Sequence, residues 1–265
     1  MYKYADNIIY LLEILISLVL DKMKKLSIII PVFNEKNTIF DVLIKVSSVV
    51  LKNNIEKEVI VVNDKSTDSS RQEVEKYIQA YPNADIRLIN HDVNLGKGGA
   101  LHTGIKYASG DYTIIQDADL ELDPEEYNIL IDPILNKTSD IVYGSRFLDQ
   151  GKQGLTMSKW ANGFLTRLSN FVFNIKITDM ETCYKLVPTK IFQSLILEEQ
   201  RFGFEPEITA KLAKIESLKW KEVAITYNPR TNLQGKKIGW KDGFRAIFCI
   251  VKYGWFTGLK SSVKE

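Results

Sequence analysis

Residues 111–124 read DYTIIQDADLELDP. The first six form a short, β-branched apolar run that ends abruptly in acids, the signature of a buried strand delivering carboxylates at its carboxyl end. Working outward, the same grammar recurs. LSIIIPV at 26–32 runs into Phe33-Asn34-Glu35, and EVIVV at 58–62 into Asn63-Asp64-Lys65-Ser66-Thr67-Asp68. DIRLI at 85–89 leads to Asn94-Leu95-Gly96-Lys97-Gly98-Gly99, and DIVYG at 140–144 is a fifth run. Segments of helical period separate them at 38–52, 67–80, 98–108 and 124–136. This alternation predicts an α/β fold, a mostly parallel Rossmann-like sheet with helices on both faces. Ligands of such sheets bind beyond the carboxyl ends of the strands. Capping by Asn34, Ser66, Thr67 or Asp119 explains one polar strand end, but not four bringing acids, amides and a lysine to one edge.

Asp117 and Asp119 are the sharpest feature of that edge. At i and i+2 on a strand they project to the same side, with Ala118 turned away. Paired carboxylates suit a hard divalent cation, Mg2+ or Mn2+, which relieves their repulsion and can bridge a diphosphate. The Gly96-Lys97-Gly98 turn either lets backbone amides approach a phosphate, with Lys97 adding charge, or is a flexible entry to a helix starting near Gly99. There is no Gly-x-x-x-x-Gly-Lys-Ser/Thr, and Leu101 stands where a dinucleotide fingerprint needs its third glycine. Neither a P-loop ATPase nor a nicotinamide enzyme is expected.

The chain has 265 residues, 45% hydrophobic and 26% charged, which argues against disordered, collagen-like and multi-span membrane classes. It is long enough for a sizeable core in one large domain or two small ones. With 35 Lys and Arg against 33 Asp and Glu, the net charge is +2. That balance predicts no nucleic-acid partner, and any basic site must be local. Two cysteines, Cys183 and Cys249, and two histidines, His91 and His102, are too few for a disulfide framework or a Cys/His zinc module and fit a reducing compartment.

Both ends are apolar in a different way. IIYLLEILISLVL at 8–20 carries Glu13 and is shorter than the roughly 20 residues a spanning helix needs. Asp6 ahead of it and Asp21 to Lys25 behind it do not fit a secretory signal. It reads as a helix packed on the protein's own core or on a second subunit of a homo-oligomer, or as a shallow anchor with Lys22, Lys24 and Lys25 at an anionic surface. From Gly239 to Lys260, aromatic and basic residues interleave with amphipathic spacing, as in an interfacial helix or an ordinary one closing the fold. LTMSKWANGFLTRLSNFVF at 155–173 suits a lipid groove or a core. With no repeat or linker, the expected organisation is an N-terminal helix over 1–25, a core over 26–150, and an acceptor-binding, interfacial helical extension of the same domain over 151–265.

Taken together, SIIIPVFNE, VIVVNDKSTDSS, NLGKGGALHTGI, DADLELDP and IVYGSRF resemble glycosyltransferase family 2, whose nucleotide-binding domain is the GT-A fold. ITDMETCYKLV (177–187), RFGFEPEITAKLAK (201–214) and GKKIGWKDGFRAI (235–247) are similar to the polyprenyl-phosphate branch, with its dolichyl-phosphate mannose and glucose synthases. The resemblance implies an inverting hexosyl transfer from a UDP- or GDP-sugar to a polyprenyl phosphate, at the cytoplasmic membrane face. Pro31, Phe33, Glu35 and Asp64 match nucleoside-holding positions, and Asn63 stands where an aspartate is common. Asp117 and Asp119 match the metal-binding aspartates, with Glu121 at a position often occupied by a glutamine on the metal. Arg146 matches a phosphate-binding arginine. Lys65 replaces the usual glycine of its loop.

A phosphate acceptor needs no base, because a monoester with a second pKa near about 6 is already anionic at neutral pH. It needs cations, for which Arg146, Arg167, Arg230, Lys236 and Lys237 are candidates, solvated surface charge being the bland alternative. A sugar-hydroxyl acceptor in glycan assembly would need a general base, for which Asp179 and Glu181 are candidates. Glu205 and Glu207 are further candidates or simply helix-start acids. A sugar nucleotidyltransferase, releasing pyrophosphate, is the more distant alternative.

Overall fold

The computed structural model describes residues 23–148, 157–229, 240–258 and 262–263. Seven strands, β1 (Lys25–Val32), β2 (Glu56–Asn63), β3 (Ile86–Asn90), β4 (Tyr112–Ile115), β5 (Ile141–Ser145), β6 (Lys185–Pro188) and β7 (Trp220–Ala224), form one sheet in the order β3-β2-β1-β4-β6-β5-β7. β1 pairs parallel with β2 and β4, β2 with β3, and β5 with β7, while β6 runs antiparallel to both its neighbours. The helices are α1 (Ile39–Ser48), α2 (Ser70–Ala80), α3 (Gly96–Tyr107), α4 (Tyr127–Leu135), α5 (Met157–Phe173), α6 (Thr189–Ser194), α7 (Phe204–Ala213) and α8 (Trp240–Trp255).

β1 shows how a continuous apolar run serves two cores. Successive side chains point to opposite faces: Leu26, Ile28, Ile30 and Val32 pack with Val42 and Leu43 of α1, Tyr77 of α2 and Leu130 of α4. Ile29 joins Leu101 and Ile105 of α3 in the core that also takes in α5, α7 and α8. Burying both faces is what makes the parallel strands apolar throughout. The amino ends of β1 and β2 are tied together by Glu58, which accepts from Ser27 Oγ, from Ser109 N at 2.6 Å and Oγ at 2.7 Å, and from Gly110 N at 3.0 Å. Burial alone would raise its pKa, but these donors and Lys25 bring it down to about 2.

The neighbours of β1 on its two sides are β2 and β4, so the chain changes direction of travel across the sheet there, and the carboxyl ends of β1, β2 and β4 frame the crevice expected of such a switch point. Two features depart from the sequence reading. Residues 151–265 supply strands as well as helices, with Val142 opposite Leu186 and Ile141 opposite Trp220, so the sheet runs on past residue 150. β6 is four residues long and β7 has Lys221 and Glu222 between Trp220 and Val223, which leaves neither with an alternating or continuous apolar signal. α3 begins at Gly96 rather than near Gly99. The N-terminal helix expected over 1–25 lies outside the described residues up to position 22, and Lys25 opens β1. No helix among the described residues is long and apolar enough to cross a membrane.

Candidate active site

The loops after β1 and β2 are locked to one another. Asn34, with φ 54°, donates its backbone N–H to Ser66 Oγ at 3.1 Å, and its side-chain oxygen accepts from Thr67 N at 2.8 Å. Lys65 holds φ 59°, so the loop keeps a left-handed residue although a lysine replaces the glycine that makes this easy. Pro31, Phe33 and Glu35 are half-buried at the end of β1. Asp64 is placed beneath the next loop: its carboxylate accepts from Leu95 N at 2.8 Å and Gly96 N at 2.7 Å, and its Oδ1 stands 2.8 Å from His91 Nδ1. It is only 2% exposed, so its carboxylate serves as a brace beneath that loop. Asn63 likewise donates to Asn90 Oδ1 at 2.8 Å and accepts from Ser66 N at 3.2 Å.

The glycine turn is clamped rather than flexible. A Cβ at Gly98 would stand 2.1 Å from the carbonyl oxygen of Glu199, and Gly99 N–H donates to the Gln200 carbonyl at 2.9 Å. The amides of Leu95, Gly96 and Gly99 are therefore spent within the protein, and the Lys97 side chain reaches the cleft.

Beyond β4, Asp117 and Asp119 are half-buried and Ala118 is buried, its carbonyl accepting from Thr38 Oγ1 at 2.8 Å. Asp117 lines the cleft, and Asp119, in the bend that follows, accepts from Glu121 N at 3.1 Å. Lys97 Nζ lies 2.8 Å from Asp117 Oδ1 and donates to Cys183 Sγ at 2.7 Å, and the Cys183 thiol donates to Asp117 Oδ2 at 2.6 Å. Burial pushes Asp117 up, but Lys97, the thiol and Arg146 more than offset it and hold the carboxyl below its usual range. Burial and then the Asp117 charge push the Cys183 thiol well above its ordinary pKa, keeping it protonated. Gln116 anchors the strand end, accepting from the hydroxyls of Tyr127 and Tyr184 at 2.7 Å each.

The same cleft is lined by Glu121, Arg146, Glu181, Arg201, Glu205 and Tyr227. Arg146 makes a two-pronged pair with Asp179, Nε to Oδ2 at 2.7 Å and Nη2 to Oδ1 at 2.8 Å, and its guanidinium lies 5.1 Å from the Tyr227 ring centroid. Asp179 is fully buried with both oxygens on Arg146, an arrangement that positions Arg146 and keeps the carboxylate out of the cleft lining. Glu181 differs: its Oε1 has no hydrogen-bond partner, and burial followed by the Glu205 charge raises its pKa to about 7. Glu205 pairs with Lys185 and stands 3.7 Å from Lys97. Glu207 is fully buried, pairs with Lys211 at 2.5 Å and accepts from the amides of Glu198 and Glu199 at 2.8 Å, a staple inside the fold. Arg167 is exposed on α5 and does not line the cleft, and Arg230, Lys236 and Lys237 lie outside the described residues.

Residues 27–196 match the family described as Glycosyl transferase family 2. The chain belongs to glycosyltransferase family 2. It is 24% identical over 237 residues to a dodecaprenyl-phosphate galacturonate synthase of Rhizobium johnstonii, covering 89% of this chain and 68% of that one. It is 29% identical over 236 residues to a dolichyl-phosphate β-glucosyltransferase of Dictyostelium discoideum, covering 80% and 68%. An uncharacterised glycosyltransferase of Synechocystis is 32% identical over 221 residues, covering 82% and 65%. The chain thus spans about two thirds of the length of these relatives. Among solved structures, glucosyl-3-phosphoglycerate synthase of Mycobacterium tuberculosis superposes with a TM-score of 0.64 at 18% identity, covering 88% and 81%. A complex of that enzyme with Mn2+, UDP and phosphoglyceric acid gives 0.62 at 16% identity, covering 88% and 79%. The fold is GT-A.

The residues of this family 2 site fit a divalent ion held jointly with a substrate. Asp117 and Asp119 offer two half-buried carboxylates two residues apart after β4, and among the described residues no set of three acid, histidine or cysteine side chains closes a protein-only cage. One or two carboxylates completed by phosphate oxygens and water is how Mg2+ is bound in nucleotide sites. Glu121 accepts from Tyr227 Oη at 3.1 Å at the cleft wall. Sequence reading passes over Cys183, Tyr227 and Arg201. Each comes to the site from a different part of the chain, Cys183 lying 66 residues from Asp117, so no local pattern announces them.

Proposed function

We propose that this family 2 glycosyltransferase inverts the anomeric centre of a hexose as it moves it from a UDP- or GDP-sugar to a polyprenyl phosphate. Asp117 and Asp119 would hold Mg2+ or Mn2+, and the enzyme would work docked on the cytoplasmic face of a membrane. The observation that carries the reading is the pairing of Arg146 with Asp179 beside Asp117: one base candidate is consumed in orienting a cation, the equipment an anionic acceptor requires. Lys97 and Arg146 temper the repulsion between acceptor phosphate and donor diphosphate. A divalent ion on the two aspartates supplies the charge neutralisation that lets the diphosphate depart. Pro31, Phe33 and Glu35, half-buried at the end of β1, would form the floor for the nucleoside, steadied from below by Asn63 and Asp64.

Docking is supported by α5 and α8, which pack against each other. Trp160, Phe164 and Phe171 on α5 and Phe244, Phe248 and Trp255 on α8 repeat the same i, i+4, i+11 spacing, and all six are more than half exposed. Each helix buries its opposite face, Leu165, Ser169 and Val172 on α5 and Ala246, Cys249, Ile250 and Tyr253 on α8. Exposed aromatic stripes of this kind suit the headgroup level of a bilayer.

Glu181 favours a second reading, transfer to a sugar hydroxyl, because an unpartnered carboxyl with a pKa of about 7 is tuned for a general base. Glu181→Gln separates the two. With a lipid-phosphate acceptor the variant keeps turnover near wild type. Turnover onto a glycan hydroxyl that falls by about 10²–10⁴-fold would give Glu181 the role of base and displace the first reading.

A further inference from the structure

Arg201 lines the cleft, and the chemistry above gives it no part. It stands in the turn ahead of α7, and its position is fixed at backbone and stem. Gln200 accepts the Gly99 N–H at 2.9 Å, and a Cβ at Gly96 would come 2.8 Å from Arg201 Cγ, so the side chain lies along the start of α3. Behind it, Glu199 is held by Arg245 of α8 at 2.7 and 2.9 Å and by Tyr253 Oη at 3.0 Å. The turn is therefore anchored on one side to the donor loop and on the other to α8.

The charges in the cleft single out this residue. Lys97 is paired with Asp117 and Arg146 with Asp179. The Arg201 side chain makes no hydrogen bond or ion pair among the described residues, although Glu181 and Glu205 line the same cleft. Its guanidinium is solvent-exposed and lines the cleft together with Lys97, where a free positive charge attracts an anion and the planar fork matches two oxygens of a phosphate. We infer that Arg201 is a phosphate-binding residue of this cleft. The phosphate belongs either to the donor diphosphate or to the acceptor monoester, and the second source rests on the polyprenyl-phosphate reading.

The test uses the full chain with Mn2+ and calorimetric titration of UDP, of GDP, and of a short-chain prenyl phosphate with the matching prenyl alcohol as control. Wild type is compared with Arg201→Gln, which keeps the stem on Gly96, and with Arg201→Lys, which keeps the charge. Arg201→Gln is expected to weaken one phosphate ligand about 10- to 100-fold, with partial recovery in Arg201→Lys and no change for the alcohol. Loss confined to the nucleotide assigns the donor diphosphate, and loss confined to prenyl phosphate assigns the acceptor. A wild-type protein that binds nucleotide but no prenyl phosphate overturns the acceptor reading, and the nucleotide titration then decides the role of Arg201. Should Arg201→Gln not fold, Arg201→Lys carries the test, with a several-fold loss expected from the missing fork. Affinities within about twofold of wild type for both ligands, in a variant with unchanged thermal melting, overturn the inference.

Discussion

Pro31, Phe33, Asn63, Asp64, Asp117 and Asp119, the donor wall of the proposed reaction, stand on strand ends or in the loops that follow them, and Asp117 carries that wall into the cleft. The opposite wall is assembled differently. Arg146 is aimed by Asp179, 33 residues away, and Lys97 meets Cys183 across 86 residues of sequence. The first wall is a consequence of parallel strand register; the second exists only once β5, β6 and α7 have come together. The donor wall should therefore tolerate changes to its neighbours and fail when its own acids change, whereas the opposite wall should fail when a pairing partner is lost.

Four expectations follow, from the largest effect to the smallest. Asp117→Asn or Asp119→Asn should lower metal-dependent turnover by about 10³-fold or more without unfolding the protein. Retained turnover in an assay of nucleoside diphosphate release would move the chemistry away from the donor wall. Asp179→Ala strands the Arg146 charge in a buried setting and should cost about 3–5 kcal/mol in chemical denaturation. By contrast, Lys52→Ala, which breaks the exposed pair with Asp132 at 2.6 Å, should cost no more than about 1 kcal/mol. A double Phe248→Ser, Trp255→Ser variant should bind anionic vesicles about tenfold or more weakly while UDP affinity is unchanged. Equal partitioning in a flotation assay would detach the aromatic stripes from the membrane.

A further pair of effects is in pH dependence, and the two regions have opposite signs. Glu181 has its folded pKa raised to about 7 by burial and by Glu205, so its contribution is present below the ordinary carboxyl value near 4.5 and lost as pH rises through 7. Glu181→Gln should gain melting temperature over wild type progressively between pH 5 and pH 8. Glu58, at the far end of the sheet, is lowered to about 2, so its contribution is present above the ordinary value and disappears as pH falls from 4.5 toward 2. Glu58→Gln should flatten that acid limb and leave the alkaline side alone. Matching slopes in the two variants would contradict both assignments.

The same contrast explains what the sequence made legible. Five strands and four helices of the first 145 residues follow from apolar runs and turn residues, and Asp117 was legible as an acid delivered at the end of β4. The reversed strand β6 and the strand β7, broken by Lys221 and Glu222, were not legible, because their pairing partners rather than their own side chains make them strands. Asp64 was legible as a strand-end acid but not as the brace of the next loop, since its ligands Leu95 N and Gly96 N are backbone amides that any sequence would supply. The glycines at 96, 98 and 99 announced a close approach, and the structure shows that segment 199–201 fills it. Asp179 and Glu181 read alike in sequence, yet Arg146 takes one and leaves the other open to the cleft.

The most direct test of the central claim is product identification: purified full chain, Mn2+ or Mg2+, a panel of UDP- and GDP-sugars, and undecaprenyl or dolichyl phosphate, with lipids analysed by mass spectrometry. The account predicts one hexose joined to the lipid phosphate, lost on chelation and lost in Asp117→Asn. Nucleoside diphosphate released with the sugar on a glycan hydroxyl and none on the lipid phosphate would contradict it.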